Sequence, residues 1–96
     1  MRILTIGRKG TDIVLEDSKK EISRLHAELT ITDHDRYYLV DCGSSNGTSV
    51  KREGSWQPVK QEYVTKDDEV RFGGFYQITV RELLNKAPSI SQPLLK

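Results

Sequence analysis

Apolar residues in this chain recur at every second position, in runs too short for anything but strands. Ala27, Leu29 and Ile31 alternate with Glu28, Thr30 and Thr32, so that run has one dry face and one wet face. Residues 3–6 form a similar short run stopped by Gly7, and residues 12–15 form another. After the polar turn Asp33-His34-Asp35, residues 36–42 return, antiparallel to 27–32 as a hairpin requires. Residues 48–50 read as a brief strand. Residues 69–72 and 75–81 flank Gly73-Gly74, a two-residue hairpin signal, and Tyr76, Ile78 and Val80 share one face of the last strand. No amphipathic run of a dozen residues carries a helical period. Many short strands with turn signals between them predict an all-β fold, an antiparallel sandwich or barrel.

Ninety-six residues suffice for one domain with a single core. That domain is expected over residues 1–84. Residues 85–96 hold two prolines, two serines and little alternation, and read as a flexible C-terminal tail or the start of a linker. Because the sequence starts at Met1, the domain is expected to be N-terminal or to stand alone. Fifteen basic against fourteen acidic residues leave a net charge of +1, which argues against a dedicated nucleic-acid binder. The single cysteine, Cys42, cannot form an internal disulfide and fits a reducing compartment. No apolar stretch approaches the roughly 20 residues of a membrane span. The first seven residues lack the long apolar core and cleavage site of a signal peptide. A cytoplasmic protein with no membrane partner is therefore expected.

Between two apolar runs lies Gly43-Ser44-Ser45-Asn46-Gly47-Thr48. Such a stretch makes a tight turn in which backbone N–H groups and short hydroxyl side chains crowd into a concave, anion-holding nest. Two more clusters fall in loops at strand ends, Ile6-Gly7-Arg8 and Ile22-Ser23-Arg24-Leu25-His26-Ala27. Loops at one end of a sandwich converge from distant parts of a sequence. If these do, Arg8, Ser23, Arg24, Ser45 and the turn's N–H groups make one cationic, donor-rich hollow. The planar arginine fork suits a phosphate through two parallel charge-assisted bonds. None of the three clusters contains a carboxylate, which favours an anion over a cation as ligand.

Gly43-Ser44-Ser45-Asn46-Gly47 also spells G-x-S-x-G, the nucleophile elbow of hydrolases, with Asp41 and His26 as conceivable triad partners. The context refuses that reading. The elbow needs a strand running into a helix in a larger α/β sheet, whereas 48–50 continues as strand. In that fold the histidine also follows the serine, and His26 precedes it. Two histidines and one cysteine show no metal-ligand spacing.

The set Gly7-Arg8, Ser23-Arg24-Leu25-His26 and Ser44-Ser45-Asn46-Gly47-Thr48, in this order, resembles the forkhead-associated (FHA) domain. The likeness runs from about Ile3 to Val80 and includes Phe72-Gly73 before the last strand. It implies an FHA/SMAD-like β-sandwich of about eleven short strands with its functional loops at one end. It implies binding of phosphothreonine-containing segments of partner proteins in signalling or assembly, with no catalysis and no cofactor. By the same resemblance, Arg8 bonds the phosphate or braces the loop around it, Ser23 donates its hydroxyl to a phosphate oxygen, and Arg24 adds charge beside it. Ser45 supplies a further contact, and Asn46 clamps the partner's backbone. Gly7, Ser44, Gly47 and Thr48 shape the loops, and His26 ties loops together. Lys51 stands where the family usually has Asn, and Asp67-Asp68 where Gly-Asp is common; both positions shape loops. Lys51 and Arg52 extend the basic rim if they face it, and Trp56 either packs under the middle loop or contacts a partner. The alternative is an FHA-like module that binds without phosphate, through the faces or edges of the sandwich. The intact Arg8, Ser23, Ser45 and Asn46 favour the phosphate-dependent reading.

Overall fold

A computed structural model describes residues 1–88. Two sheets face each other across one core. The five-stranded sheet has the order β2-β1-β3-β4-β7, from β1 (Arg2–Gly7), β2 (Ile13–Val14), β3 (Ala27–Ile31), β4 (Tyr37–Asp41) and β7 (Gln61–Val64). The four-stranded sheet has the order β6-β5-β8-β9, from β5 (Thr48–Arg52), β6 (Ser55–Pro58), β8 (Glu69–Phe72) and β9 (Tyr76–Thr79). The alternation read from the sequence is realised in the packing. Leu4 and Ile6 of β1, Leu29 of β3 and Leu39 of β4 point inward and meet Val50 of β5 with Val70 and Phe72 of β8. Each such side chain, fully buried, contributes about 1.5–3 kcal/mol. The hairpin of β3 and β4 is antiparallel as expected, with Leu29 opposite Leu39.

The sandwich is therefore as expected, with differences in detail. Nine strands stand among the described residues where about eleven were expected. One reason lies in 16–26. There the Asp17 carboxylate collects the N–H groups of Lys19, Glu21 and Ile22, so these donors are withheld from any ladder. The sheets are not wholly antiparallel, since β1 and β2 pair in parallel, Ile6 opposite Ile13. Gly73-Gly74 is not a two-residue turn: Phe72 pairs with Tyr76, leaving a three-residue loop that includes Phe75. Strands β6 and β7 were not anticipated, because Ser55–Pro58 and Gln61–Val64 bury little and show no clear alternation.

The last strand ends early. Val80 and Arg81 belong to a short helix, α1 (Val80–Lys86). Thr79 caps it: its hydroxyl accepts the Glu82 N–H, and the Glu82 carboxylate accepts the Thr79 N–H. This reciprocal pair satisfies two otherwise unpaired donors. Val80 and Leu83, three apart, face the core and are fully buried. The helix runs through Asn85 and Lys86, and Ala87 packs against the core. The remainder of the expected tail, 89–96, lies outside the described residues.

Candidate functional site

Register places the three clusters at one end of the sandwich. Ile6 pairs with Ala27 and Ala27 with Asp41, so β1 ends, β3 begins and β4 ends side by side. Across the core, the Gly73 N–H donates to the Gly47 carbonyl at 2.9 Å, bringing the β8–β9 turn to the same end.

Backbone contacts weld the first two clusters. The Arg8 N–H donates to the Ser23 carbonyl at 3.1 Å, and the His26 N–H to the Ile6 carbonyl at 2.8 Å. Gly7 is where the chains touch: a Cβ there would lie 1.8 Å from the Arg24 carbonyl oxygen. Only glycine permits that approach. The Arg8 side chain spends Nε on the Ile22 carbonyl at 3.1 Å. Its Nη groups have no protein partner among the described residues, and the side chain is exposed. Arg24 is exposed too.

Ser23 joins the second cluster to the third. Its Oγ accepts the Ser45 N–H at 3.2 Å, which leaves the hydroxyl proton available to an incoming acceptor. Asn46 donates through Nδ2 to the Glu21 carbonyl at 3.0 Å, so its side-chain oxygen is turned to other partners. His26 is fully buried and bonds at both ring nitrogens. Nδ1 accepts the Ser23 N–H at 3.1 Å, and Nε2 lies 2.8 Å from the Gly47 carbonyl. Since a carbonyl only accepts, Nε2 carries the proton and the ring is the Nε2–H tautomer. The ring meets Phe72 edge-on, centroids 5.4 Å apart. His26 thus ties its own loop to the loop that holds Gly47.

The third cluster folds around Asp41. One carboxylate oxygen accepts the Gly43 and Ser44 N–H groups, each at 3.1 Å; the other accepts the Ser44 and Thr48 hydroxyls, each at 2.6 Å. Ser44 Oγ in turn accepts the Gly47 N–H at 3.0 Å. Gly43 and Gly47 adopt φ of +72° and +86°, left-handed conformations that glycine enters without penalty. Burial pushes the Asp41 carboxyl up, but the Ser44 and Thr48 hydroxyls, the Ser44 N–H and nearby His26 outweigh it, and its pKa falls below the ordinary value. Ser44 and Thr48 are therefore turned into the loop. Ser45 and Asn46 stand exposed at its crest.

Sequence reasoning missed three residues here. Asp41 entered only in the rejected hydrolase reading, although Asp followed by a Gly-Ser turn signals side-chain capping of that turn. Asp17 sets the loop before Ser23. Glu21 clasps two loops: its carbonyl holds Asn46, and its carboxylate accepts the Gly74 N–H at 2.6 Å. Its signal is not local, because its partners are up to 53 residues away. Beside the third cluster opens a groove of about 760 Å³ whose far wall is Pro58, Val59 and Lys60. Cys42, next to Asp41 in the chain, is half-buried. Burial, with the Glu28 and Asp41 carboxylates, pushes its thiol up and keeps it protonated at neutral pH.

Residues 4–73 match the family model described as FHA domain. The chain belongs to the FHA family. Over 74 residues it is 40% identical to the glycogen accumulation regulator GarA of Mycobacterium tuberculosis, a match covering 76% of this chain and 41% of GarA. The chain thus spans well under half the length of that relative. Among solved structures, the FHA domain of the CT664 protein from Chlamydia trachomatis superposes with a TM-score of 0.62 at 31% identity, covering 75% of this chain and 68% of that one. EmbR of M. tuberculosis, solved in complex with a low-affinity phosphopeptide, gives a TM-score of 0.62 at 28% identity, covering 80% of this chain and 19% of EmbR. FHA domains are non-catalytic interaction modules, and phosphopeptide binding is the function this domain shares with the family.

Proposed function

We propose that this FHA domain binds phosphothreonine-containing segments of partner proteins at the end of the sandwich where Arg8, Ser23, Arg24, Ser45 and Asn46 gather, and that it turns nothing over. The observation that carries this reading is the Ser23–Ser45 bond, which joins two loops across 22 residues and leaves the Ser23 proton free, in a loop whose Ser23 carbonyl accepts the Arg8 N–H. The Ser23 hydroxyl and the Arg8 fork bond the phosphate oxygens, Arg24 adds charge, and Ser45 completes the shell. Asn46, steadied by Glu21, offers its oxygen to the partner's backbone N–H.

A non-catalytic role is supported by the same hydrogen bonds. Both nitrogens of His26 are committed to backbone groups, and the Asp41 carboxylate is saturated by its own loop. Neither is left as a base to activate Ser45. Recognition of this kind needs no cofactor. The domain proper is proposed to occupy residues 1–84, and the cytoplasm is its proposed compartment.

A peptide titration tests the function. A phosphothreonine peptide is expected to bind at least tenfold more tightly than its dephosphorylated form, and its affinity to fall as salt rises, because exposed charges are screened. Equal binding of both peptides moves the domain to the phosphate-independent class.

A further inference from the structure

Away from the loops, the outer face of the four-stranded sheet carries a second feature. Val50 and Val70 point into the core, so their neighbours Ser49, Lys51 and Arg71 point outward. Lys51 pairs with Trp56 across β5 and β6, and Ser49 pairs with Arg71 across β5 and β8. Both cations gather on the indole: Lys51 Nζ lies 5.8 Å from its ring centroid and the Arg71 guanidinium carbon 4.7 Å. Neither has a carboxylate within ion-pair distance; the ion pairs among the described residues use Arg52 and Arg81. Arg71 Nε is buried with no hydrogen-bond partner among the described residues. Lys51 and Arg52, adjacent in sequence, thus have different fates: Arg52 pairs with Asp68 and Glu62, while Lys51 stays uncompensated.

We propose that Lys51, Trp56 and Arg71 form a docking surface for an acidic stretch of polypeptide, distinct from the loop site. The indole screens one side of each cation from water, which strengthens that cation's attraction for an anion. Arg71 presents its remaining donors as a fork suited to a carboxylate, and Lys51 presents a mobile point charge beside it. Two charges on a single ring suit a short run of Glu or Asp. Glu69, on the same strand as Arg71, weakens the attraction for any polyanion, and a net charge of +1 disfavours the longer phosphate backbone of a nucleic acid. Lys51 lies four residues along the chain from Gly47, about 13 Å at strand rise, so the two sites can be occupied separately.

Trp56 is the sole tryptophan, so intrinsic fluorescence reads this surface directly. Titration with a peptide of eight glutamates is expected to give a saturable change, and one of eight glutamines none. The pair Lys51→Gln with Arg71→Gln should weaken binding at least tenfold, whereas Glu69→Lys should strengthen it severalfold in a protein that keeps both cations. Ser23→Ala should leave it unchanged, which separates this surface from the phosphothreonine reading. The proposal is overturned by a flat titration, by binding that survives the double substitution, or by loss of binding in Ser23→Ala. Tighter binding of an eight-residue oligothymidylate than of the glutamate peptide would overturn it in favour of nucleic acid.

Discussion

Ser23 Oγ accepts the Ser45 backbone N–H at 3.2 Å, and this bond links the loop that follows β2 to the loop that precedes β5. Truncating Ser23 removes a loop tie and the hydroxyl proposed to reach the phosphate. Ser23→Ala is expected to weaken phosphothreonine-peptide binding at least tenfold, equivalent to about 1.4 kcal/mol. Affinity for the dephosphorylated peptide should not change. Isothermal titration of both peptides against both proteins measures the difference.

Gly7 packs its Cα against the Arg24 carbonyl, where an added Cβ would stand 1.8 Å from the oxygen. That atom is backbone and cannot rotate away. Gly7→Ala should cost about 1–3 kcal/mol through overpacking. Near 4–8 °C of Tm per kcal/mol is expected for a domain of this size. Peptide affinity should fall with it, because β1 and the Ser23 loop part at this point. Thermal unfolding followed by circular dichroism reads the first effect and titration the second.

Asp41 gives the third loop an acid-labile centre. Its pKa is held below the ordinary 3.8, so its contribution to stability is complete above that value and is lost as pH falls through the folded-state pKa. Wild type and Asp41→Asn should therefore differ in urea midpoint by a constant amount from pH 7 to about 5 and converge in more acid solution. Asp12 and Asp17 also titrate low, but both proteins keep them, so their effects cancel in the difference. A gap that widens on acidification would refute this account.

Thr79 caps α1 at the end of the sandwich opposite the loops, where the Val80 N–H meets the Asp68 carbonyl at 3.0 Å. Thr79→Ala should cost about 1 kcal/mol, typical of a lost N-cap. Phosphopeptide affinity should be unchanged. The contrast with Gly7→Ala separates damage to the fold from damage to the site.

Legibility followed the range of the interactions. The β3–β4 hairpin was readable because period-two alternation and a polar turn are both local signals. The helix α1 was misread as strand through Arg81, since Tyr76, Ile78 and Val80 continue the alternation. Yet Thr79-Val80-Arg81-Glu82 spells a capping box, and a cap decides a boundary that alternation cannot. Strands β6 and β7 escaped because they are held by pairing to β5 and β4 rather than by burial of their own side chains. At the loop end, residue types were legible and their partners were not. Lys51 and Trp56 could be named, but only the register of β5 with β6 and β8 brings them together with Arg71.

By itself the sequence determined the sandwich class, the dry faces of its strands and the residue types at its loop ends. These follow from alternation and turn chemistry, which act between near neighbours. The tertiary structure alone decided which donors remain free. Arg8 keeps its Nη groups because Nε reaches the Ile22 carbonyl, and Ser23 keeps its proton because it accepts from Ser45. Glu21 became part of the site because Asn46 and Gly74 fold down onto it. Hydrogen-bond saturation depends on groups far apart in the chain, so it is set only when the two sheets close.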